Sequence, residues 1–328
     1  MARPARPAGE FQLIEAFVRA LPTAGEGVRL GPGDDAALLE APRRQQLVAT
    51  VDAVVAGVHF DRRFTPGDIG WKALAVNLSD LAAMGARPLW ALVALIVPPG
   101  TAAARLRGVA AGLGGCARRH GLAVVGGNVS RGGQLSLTVT VVGAVPRGEA
   151  LRRDGARPGD LVLVSGTLGD AALGLLPRAA AALTRRQRRP EPRLALGQAL
   201  RRIATAAIDL SDGLAQDLGH LCAASGVSAT LRLADLPRSR AGRAAAARLA
   251  DPWGPALSGG EDYELCVTVP PSRRVAAQRA AAGAGVALTV VGEVGRGRGV
   301  QVLGPDGRAR PAGPGHDHLA PRRRGPPF

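Results

Sequence analysis

The chain has 328 residues, 46% of them apolar and only 3% aromatic, with a formal charge of +16. That length and apolar content exclude a disordered or fibrous chain and predict two medium-sized domains, with Ala, Val and Leu filling the cores and backbones packed closely. The charge by itself would suit nucleic acid, but the 42 basic residues include one lysine, Lys72, and arginines scattered among Ala, Gly and Pro. No zinc-finger spacing, aromatic RNA-binding signature or concentrated basic helix accompanies them, which argues against specific nucleic-acid recognition. No repeat stands out that would indicate a solenoid or propeller.

From the N-terminus, MARPARPAGEF is basic without an apolar stretch behind it, unlike a secretory signal. Gly9 to Leu21 places Phe11, Ile14, Phe17, Val18 and Leu21 on one face of a helix. Leu47 to Val58 reads as one or two strands, and Pro66 stands where a helix can begin, its pattern running to Ala86. Leu89 to Val97 is a strand, about half the length a membrane helix needs. A helix over Ala102 to His120 leads into the strand LAVV, and LSLTVTVVGAV is a long β-rich run ending at Pro146. That run would leave an exposed sheet edge in a monomer, which predicts a dimer.

Turn-formers and charges at 146–154 mark a boundary between an N-terminal domain, 1–148, and a C-terminal domain, 149–320. The second half continues with the strand LVLVS, helices from Asp170 and Pro192, the strand ATAAID, a helix from Asp212 and the strand YELCVTV. Residues 321–328, PRRRGPPF, read as a flexible tail. Alternating helices and strands predict an α/β fold, in the two-layer α+β sense, with two domains. Cys116, Cys222 and Cys266 are far apart and form no Cys-x-x-Cys pair, as expected of a reduced, cytoplasmic protein.

With 26 acidic residues against 42 basic ones, the places where acids cluster are informative. They are Gly33-Asp34-Asp35, Thr50-Val51-Asp52, Asn77 to Asp80, Asp209 to Gly213, and Gly259 to Asp262. One such cluster is an ordinary turn or helix cap. Five in one chain, without His or Cys neighbours, suit Mg²⁺, a hard cation that keeps waters and bridges carboxylates to nucleotide phosphates. There is no P-loop and no protein-kinase signature. Lys72 reads either as a surface lysine or as a phosphate ligand. The glycine-rich stretches at Gly126-Gly127-Asn128 and Ser165 to Asp170 could turn backbone N–H groups toward phosphates.

Taken in order, GDDAAL, TVDAVVAGVHF, WKALAVNLSDLAAMGA, VVGGN, RDGARPGD, VSGTLGD, IDLSDGL and LSGGEDYEL make the chain resemble the thiamine-monophosphate kinase family over nearly its whole length. The resemblance implies a superfamily shared with aminoimidazole ribonucleotide synthetase, selenophosphate synthetase and a hydrogenase-maturation protein. It implies two α/β domains, with the N-terminal mixed sheets of two subunits joined in a homodimer. The implied reaction is transfer of the ATP γ-phosphoryl group to thiamine monophosphate, with several Mg²⁺ ions, ATP as co-substrate and no membrane. No side chain is implied as nucleophile or base. Asp35, Thr50, Val51, Asp52, Asp80, Asn128, Asp209 and Asp212 are implied as metal ligands, Val51 through its carbonyl. Gly127, Asn128, Arg153 and Ser211 are implied at ATP, and His59, Glu261 and His316 at thiamine monophosphate.

The chain departs from the family pattern at His316, where an aromatic is usual, and in the helix Ala102 to His120, which offers adenine no aromatic. Two alternatives stay open: another ATP-using member of the superfamily that phosphorylates a carbonyl oxygen, and a basic nucleic-acid-binding protein. Selenophosphate synthesis would need a reactive Cys and a Lys near the N-terminus, and neither precedes Lys72.

Overall fold

The structure, a computed structural model, describes residues 10–311. His316 and the tail from Pro321 lie outside the described residues. The chain divides into two compact units, one made of residues up to Leu78 and Pro88–Ala144, the other of Ser79–Arg87 and the residues from Val145 onward.

The elements of the first half are α1 (Glu10–Val18), β1 (Val28–Leu30), β2 (Leu38–Leu39), β3 (Gln45–Val55), α2 (Pro66–Ala83), β4 (Arg87–Val97), α3 (Ala103–His120), β5 (Ala123–Arg131) and β6 (Ser136–Pro146). Strands β3, β6, β4 and β5 lie side by side in that order, β4 and β5 parallel with Leu92 opposite Gly126 and Val93 opposite Gly127. β6 is therefore an inner strand, not the exposed edge its composition suggested; β3 and β5 hold the edges. The reason lies in the pairing, which alternation cannot report: β6 buries Leu137, Val139 and Val141 and has a neighbour on either side. Small residues let the helices approach. A Cβ on Gly112 of α3 would lie 2.0 Å from the carbonyl oxygen of Gly67 on α2, so the two backbones touch where larger side chains would hold them apart.

The other face of this sheet is apolar and open. On β4, Val93 and Leu95 are buried while Leu92, Ala94 and Ile96 point outward; Leu47 and Val51 of β3 are half exposed, at 50% and 57%.

The second half runs β7 (Leu161–Ser165), α4 (Asp170–Leu173), α5 (Ala181–Arg188), α6 (Leu194–Leu200), β8 (Ala206–Asp209), α7 (Leu214–Ser225), β9 (Ser228–Arg232), α8 (Arg240–Ala246), α9 (Gly254–Ser258), β10 (Leu265–Val269), α10 (Arg274–Gly283), β11 (Leu288–Gly295), β12 (Gly299–Leu303) and β13 (Ala309–Arg310). Seven strands form a mixed sheet in the order β13-β12-β9-β11-β7-β10-β8, in which β12 and β9 are parallel. α7 packs on β8, β9 and β12, and Leu218, Leu221 and Cys222 join Val164, Ile208, Leu231 and Val291 in one core. The helix expected from Asp170 is a single turn, ended where Gly174 and Pro177 follow. Strands β9, β11 and β12 are not announced by the patterning. Their glycines and short apolar runs become strands only through pairing with β7 and with one another.

All three cysteines are buried, and none of them forms a disulfide. No helix among the described residues is long and apolar enough to cross a membrane.

Candidate active site

In the first unit, Asp34 and Asp35 occupy the connection between β1 and β2, where the Asp35 N–H donates to Asp34 Oδ1 at 2.8 Å. Asp35 lines a groove of about 660 Å³ over the open face of the sheet, together with Gly127, Asn128, Leu92, Thr138 and Phe17. Asn128 Nδ2 donates to Ser130 Oγ at 3.0 Å. The VGGN segment is strand rather than loop. It is the middle of β5, and a Cβ on Gly127 would stand 2.0 Å from the Val93 carbonyl oxygen, so close strand packing accounts for that glycine.

Asp52 lies within β3 rather than at its carboxyl end, because the strand continues to Val55. Alternation puts Thr50 and Asp52 on one side of the strand and Val51 on the other, which leaves Val51 only its carbonyl for a ligand on their side. Past the strand, His59 Nδ1 accepts the Val55 N–H at 3.2 Å, so in the neutral ring the proton sits on Nε2. Lys72 is not a surface lysine: it is 1% exposed and its Nζ donates to the His59 carbonyl at 3.0 Å.

In the second unit, β8 ends at Asp209, which is buried and accepts the Ser79 hydroxyl on Oδ2 at 2.8 Å. Asp80 follows Ser79 on α2. Ser211 and Asp212 lead into α7, whose Asp217 reaches back and accepts the N–H groups of Asp212 and Gly213, each at 3.1 Å. That is the logic of a capping box, with an acid of the first turn closing the helix start. Burial, reinforced by Asp209 and then Asp212, pushes the Asp217 carboxyl up to about 8. Asp217 is the acid that sequence reasoning passed over; its signal is its place in the first turn after Asp-Gly.

The Gly259 to Glu264 segment is bonded along its backbone to this same stretch. Glu261 N–H donates to the Ser211 carbonyl at 2.7 Å, Tyr263 N–H to that of Leu210 at 2.9 Å, and Leu210 N–H to that of Glu264 at 2.8 Å. Glu261 and Tyr263 hold left-handed backbone angles, φ 59° and 50°, a strained state for side chains of their size. Glu264 is fully buried, accepts the Ser165 hydroxyl and pairs with Arg186 and Arg193. Gln187 Nε2 donates to Glu261 Oε2 at 3.4 Å. Asp262 accepts the Gly169 N–H at 2.7 Å, and burial pushes its carboxyl up to about 7. Three N–H groups of the Ser165 to Asp170 stretch are thus used within the protein: Gly169 on Asp262, Leu168 on the Pro237 carbonyl and Gly166 on that of Ala287. Arg153 is exposed, and its carbonyl accepts the Ser225 hydroxyl at 2.6 Å.

Among the described residues no three His, Cys, Asp or Glu side chains converge into a preformed metal site. The donor set still fits Mg²⁺. It consists of carboxylate, hydroxyl, amide and carbonyl oxygens, and beside Asp209 and Asp212 stands Asp217, whose carboxyl is raised first by burial and then by those two neighbouring acids.

Residues 33–145 match the model of the AIR synthase related protein, N-terminal domain, and residues 157–304 that of the C-terminal domain. A curated thiamine-monophosphate kinase of Escherichia coli (strain K12) is 45% identical over 297 residues, 87% of this chain and 90% of that protein. The chain belongs to the thiamine-monophosphate kinase family. The crystal structure of thiamine-monophosphate kinase from Stenotrophomonas maltophilia K279a superposes with a TM-score of 0.79 at 45% identity, covering 87% of this chain and 92% of that one. A structure of AaThiL complexed with AMPPCP and TMP superposes with a TM-score of 0.76 at 33% identity, over 95% of this chain and 97% of the other. The two-domain α/β fold with mixed sheets is thus that of thiamine-monophosphate kinases.

Proposed function

We propose that this chain transfers the γ-phosphoryl group of ATP to the phosphate of thiamine monophosphate, giving thiamine diphosphate and ADP. The observation that carries the reading is the likeness, over 95% of the chain, to a relative solved with AMPPCP and TMP. A phosphate monoester has a second pKa of about 6 and is largely ionised near neutrality, so its oxygen can attack the γ-phosphorus in line without a strong base. The protein's work is then to align two polyanions and neutralise them.

Arg153 has the planar donor fork that suits phosphate oxygens, and Ser211 and the Gly127 and Asn128 segment are the other proposed ATP contacts. His59 offers its Nε2–H to thiamine monophosphate and Glu261 a carboxylate, with His316 a third contact. Asp35, Thr50, Val51, Asp52 and Asn128 in the first unit, and Asp80, Asp209 and Asp212 in the second, are the proposed magnesium ligands. The cation, when bound, supplies charge neutralisation at the phosphates. The open apolar face carrying Leu47, Val51, Leu92 and Ile96 supports a homodimer built on the first unit's sheet. The cytoplasm, where ATP and Mg²⁺ are at hand, is the compartment we propose.

The test is direct. The protein incubated with Mg-ATP and thiamine monophosphate should form thiamine diphosphate, and with free thiamine should form no thiamine monophosphate. Phosphorylation of free thiamine at an equal rate, or no thiamine diphosphate from the monophosphate, overturns the proposal.

A further inference from the structure

Of the 42 lysines and arginines in this chain only one is lysine. Where composition has moved this far toward arginine, a position that keeps lysine is one where a guanidinium does not serve. The structure supplies the reason. Lys72 projects from α2 and is 1% exposed. Its Nζ donates to the His59 carbonyl at 3.0 Å and lies 5.4 Å from the centre of the Phe64 ring. Phe64 in turn lies against Phe60, ring centres 6.2 Å apart, and both rings are buried. A compact ammonium fits between the His59 carbonyl and an aromatic face, where the longer, planar fork of arginine would overpack the space.

What Lys72 grips is the turn that carries His59. The His59 N–H donates to the Val55 carbonyl at 2.9 Å, the Gly57 N–H to that of Phe60 at 2.7 Å, and the imidazole Nδ1 accepts the Val55 N–H at 3.2 Å. His59 is therefore held through its N–H, its carbonyl and one ring nitrogen. The carbonyl is held by the only one of these partners that is a charged side chain. An ammonium whose sole purpose was to stabilise α2 would be poorly chosen, since burying a charge costs more than burying methylenes.

We infer that Lys72 is a positioning residue for the acceptor substrate: by fixing the His59 carbonyl it sets the direction in which the His59 Nε2–H is offered to thiamine monophosphate. It does not touch the substrate itself, and it is not a ligand of ATP phosphates. The inference rests on the reading of His59 as a thiamine monophosphate contact.

The experiment is a double-mutant cycle on the full chain with Lys72→Met, His59→Ala and the pair, reading KM for each substrate, kcat and melting temperature. Lys72→Met should raise KM for thiamine monophosphate about tenfold with kcat and KM for ATP within about twofold of wild type, the pattern of a lost contact to one substrate. On the His59→Ala background it should add less than about twofold, because the two residues act as a unit. Full additivity, or a rise confined to KM for ATP, overturns the inference while leaving His59 at the substrate. An unchanged KM for thiamine monophosphate in His59→Ala removes that reading, and the inference with it. Should Lys72→Met not fold, Lys72→Arg keeps the charge and is expected to show the same selective rise; wild-type constants in Lys72→Arg overturn the proposal.

Discussion

The backbone N–H of Glu261 donates to the carbonyl of Ser211 at 2.7 Å. One hydrogen bond thus joins the residue proposed to meet thiamine monophosphate to the residue proposed to meet ATP, 50 positions apart in the chain. The bond is possible because Gly260, Glu261 and Tyr263 all take left-handed angles, which fold the segment back along the end of β8. The proposed ATP contact and the proposed thiamine monophosphate contact of the second unit therefore lie on adjoining, hydrogen-bonded stretches of backbone.

Gly260 is the hinge of this arrangement. Its φ is +68°, and a Cβ would lie 2.8 Å from the Ser211 carbonyl oxygen. Gly260→Ala should destabilise the protein by about 1–3 kcal/mol through strain and steric conflict. It should also raise KM for both substrates, since one displacement moves both residues. A denaturant melt with steady-state kinetics checks this; an unchanged midpoint with both constants intact would show that the segment yields freely.

The buried pair predicts a second contrast. Arg193→Leu leaves the fully buried Glu264 with Arg186 and the Ser165 hydroxyl, and loss of one partner of a buried ion pair costs about 3 kcal/mol or more. Arg29→Leu at the exposed Arg29–Glu40 pair should change stability by less than about 1 kcal/mol. Chemical denaturation of the two variants measures the difference, and equal effects would remove Glu264 from the list of structural anchors.

Asp262 predicts a pH dependence. Its carboxyl is raised from 3.8 to about 7 in the folded protein, chiefly by burial. A raised folded pKa means that the proton binds the folded state more tightly than the unfolded one. The stabilisation is complete below about pH 4 and is lost as pH rises through about 7. Asp262→Asn, which keeps an acceptor for the Gly169 N–H, should remove this share of the slope. Melting curves between pH 4 and 8 in a chelator, wild type against variant, should converge at low pH and separate in favour of the variant as pH rises. Parallel curves would show that Asp262 titrates alike in both states.

Asp52→Asn tests the proposed metal-assisted neutralisation. It should lower kcat by at least about a hundredfold, equivalent to about 2.7 kcal/mol of transition-state stabilisation. Because Asp52 is exposed on β3, the melting temperature should hold. Excess Mg²⁺ or Mn²⁺ should restore part of the loss, and the same treatment should not rescue His59→Ala. Near-normal turnover at limiting Mg²⁺ would take Asp52 out of the metal set.

What the amino-acid sequence determined by itself was the local and the additive. Apolar periodicity marked α2, β4 and α3 nearly to their ends, because one face of a helix or strand must be buried wherever the chain goes. The ordered motifs, from GDDAAL to GGEDYEL, marked the family, because each is a short stretch whose residues act together. Tertiary structure alone decided whatever depends on residues distant in the chain. It placed β6 inside its sheet and turned Lys72 inward toward His59. It set the Ser79 hydroxyl on Asp209, gathered Arg186, Arg193 and Ser165 around Glu264, and bonded the Gly166, Leu168 and Gly169 amides to backbone carbonyls and Asp262. Burial decided the charges as well: Asp217 and Asp262 look like any other acid in the sequence, and only desolvation beside other carboxylates raises them toward neutrality.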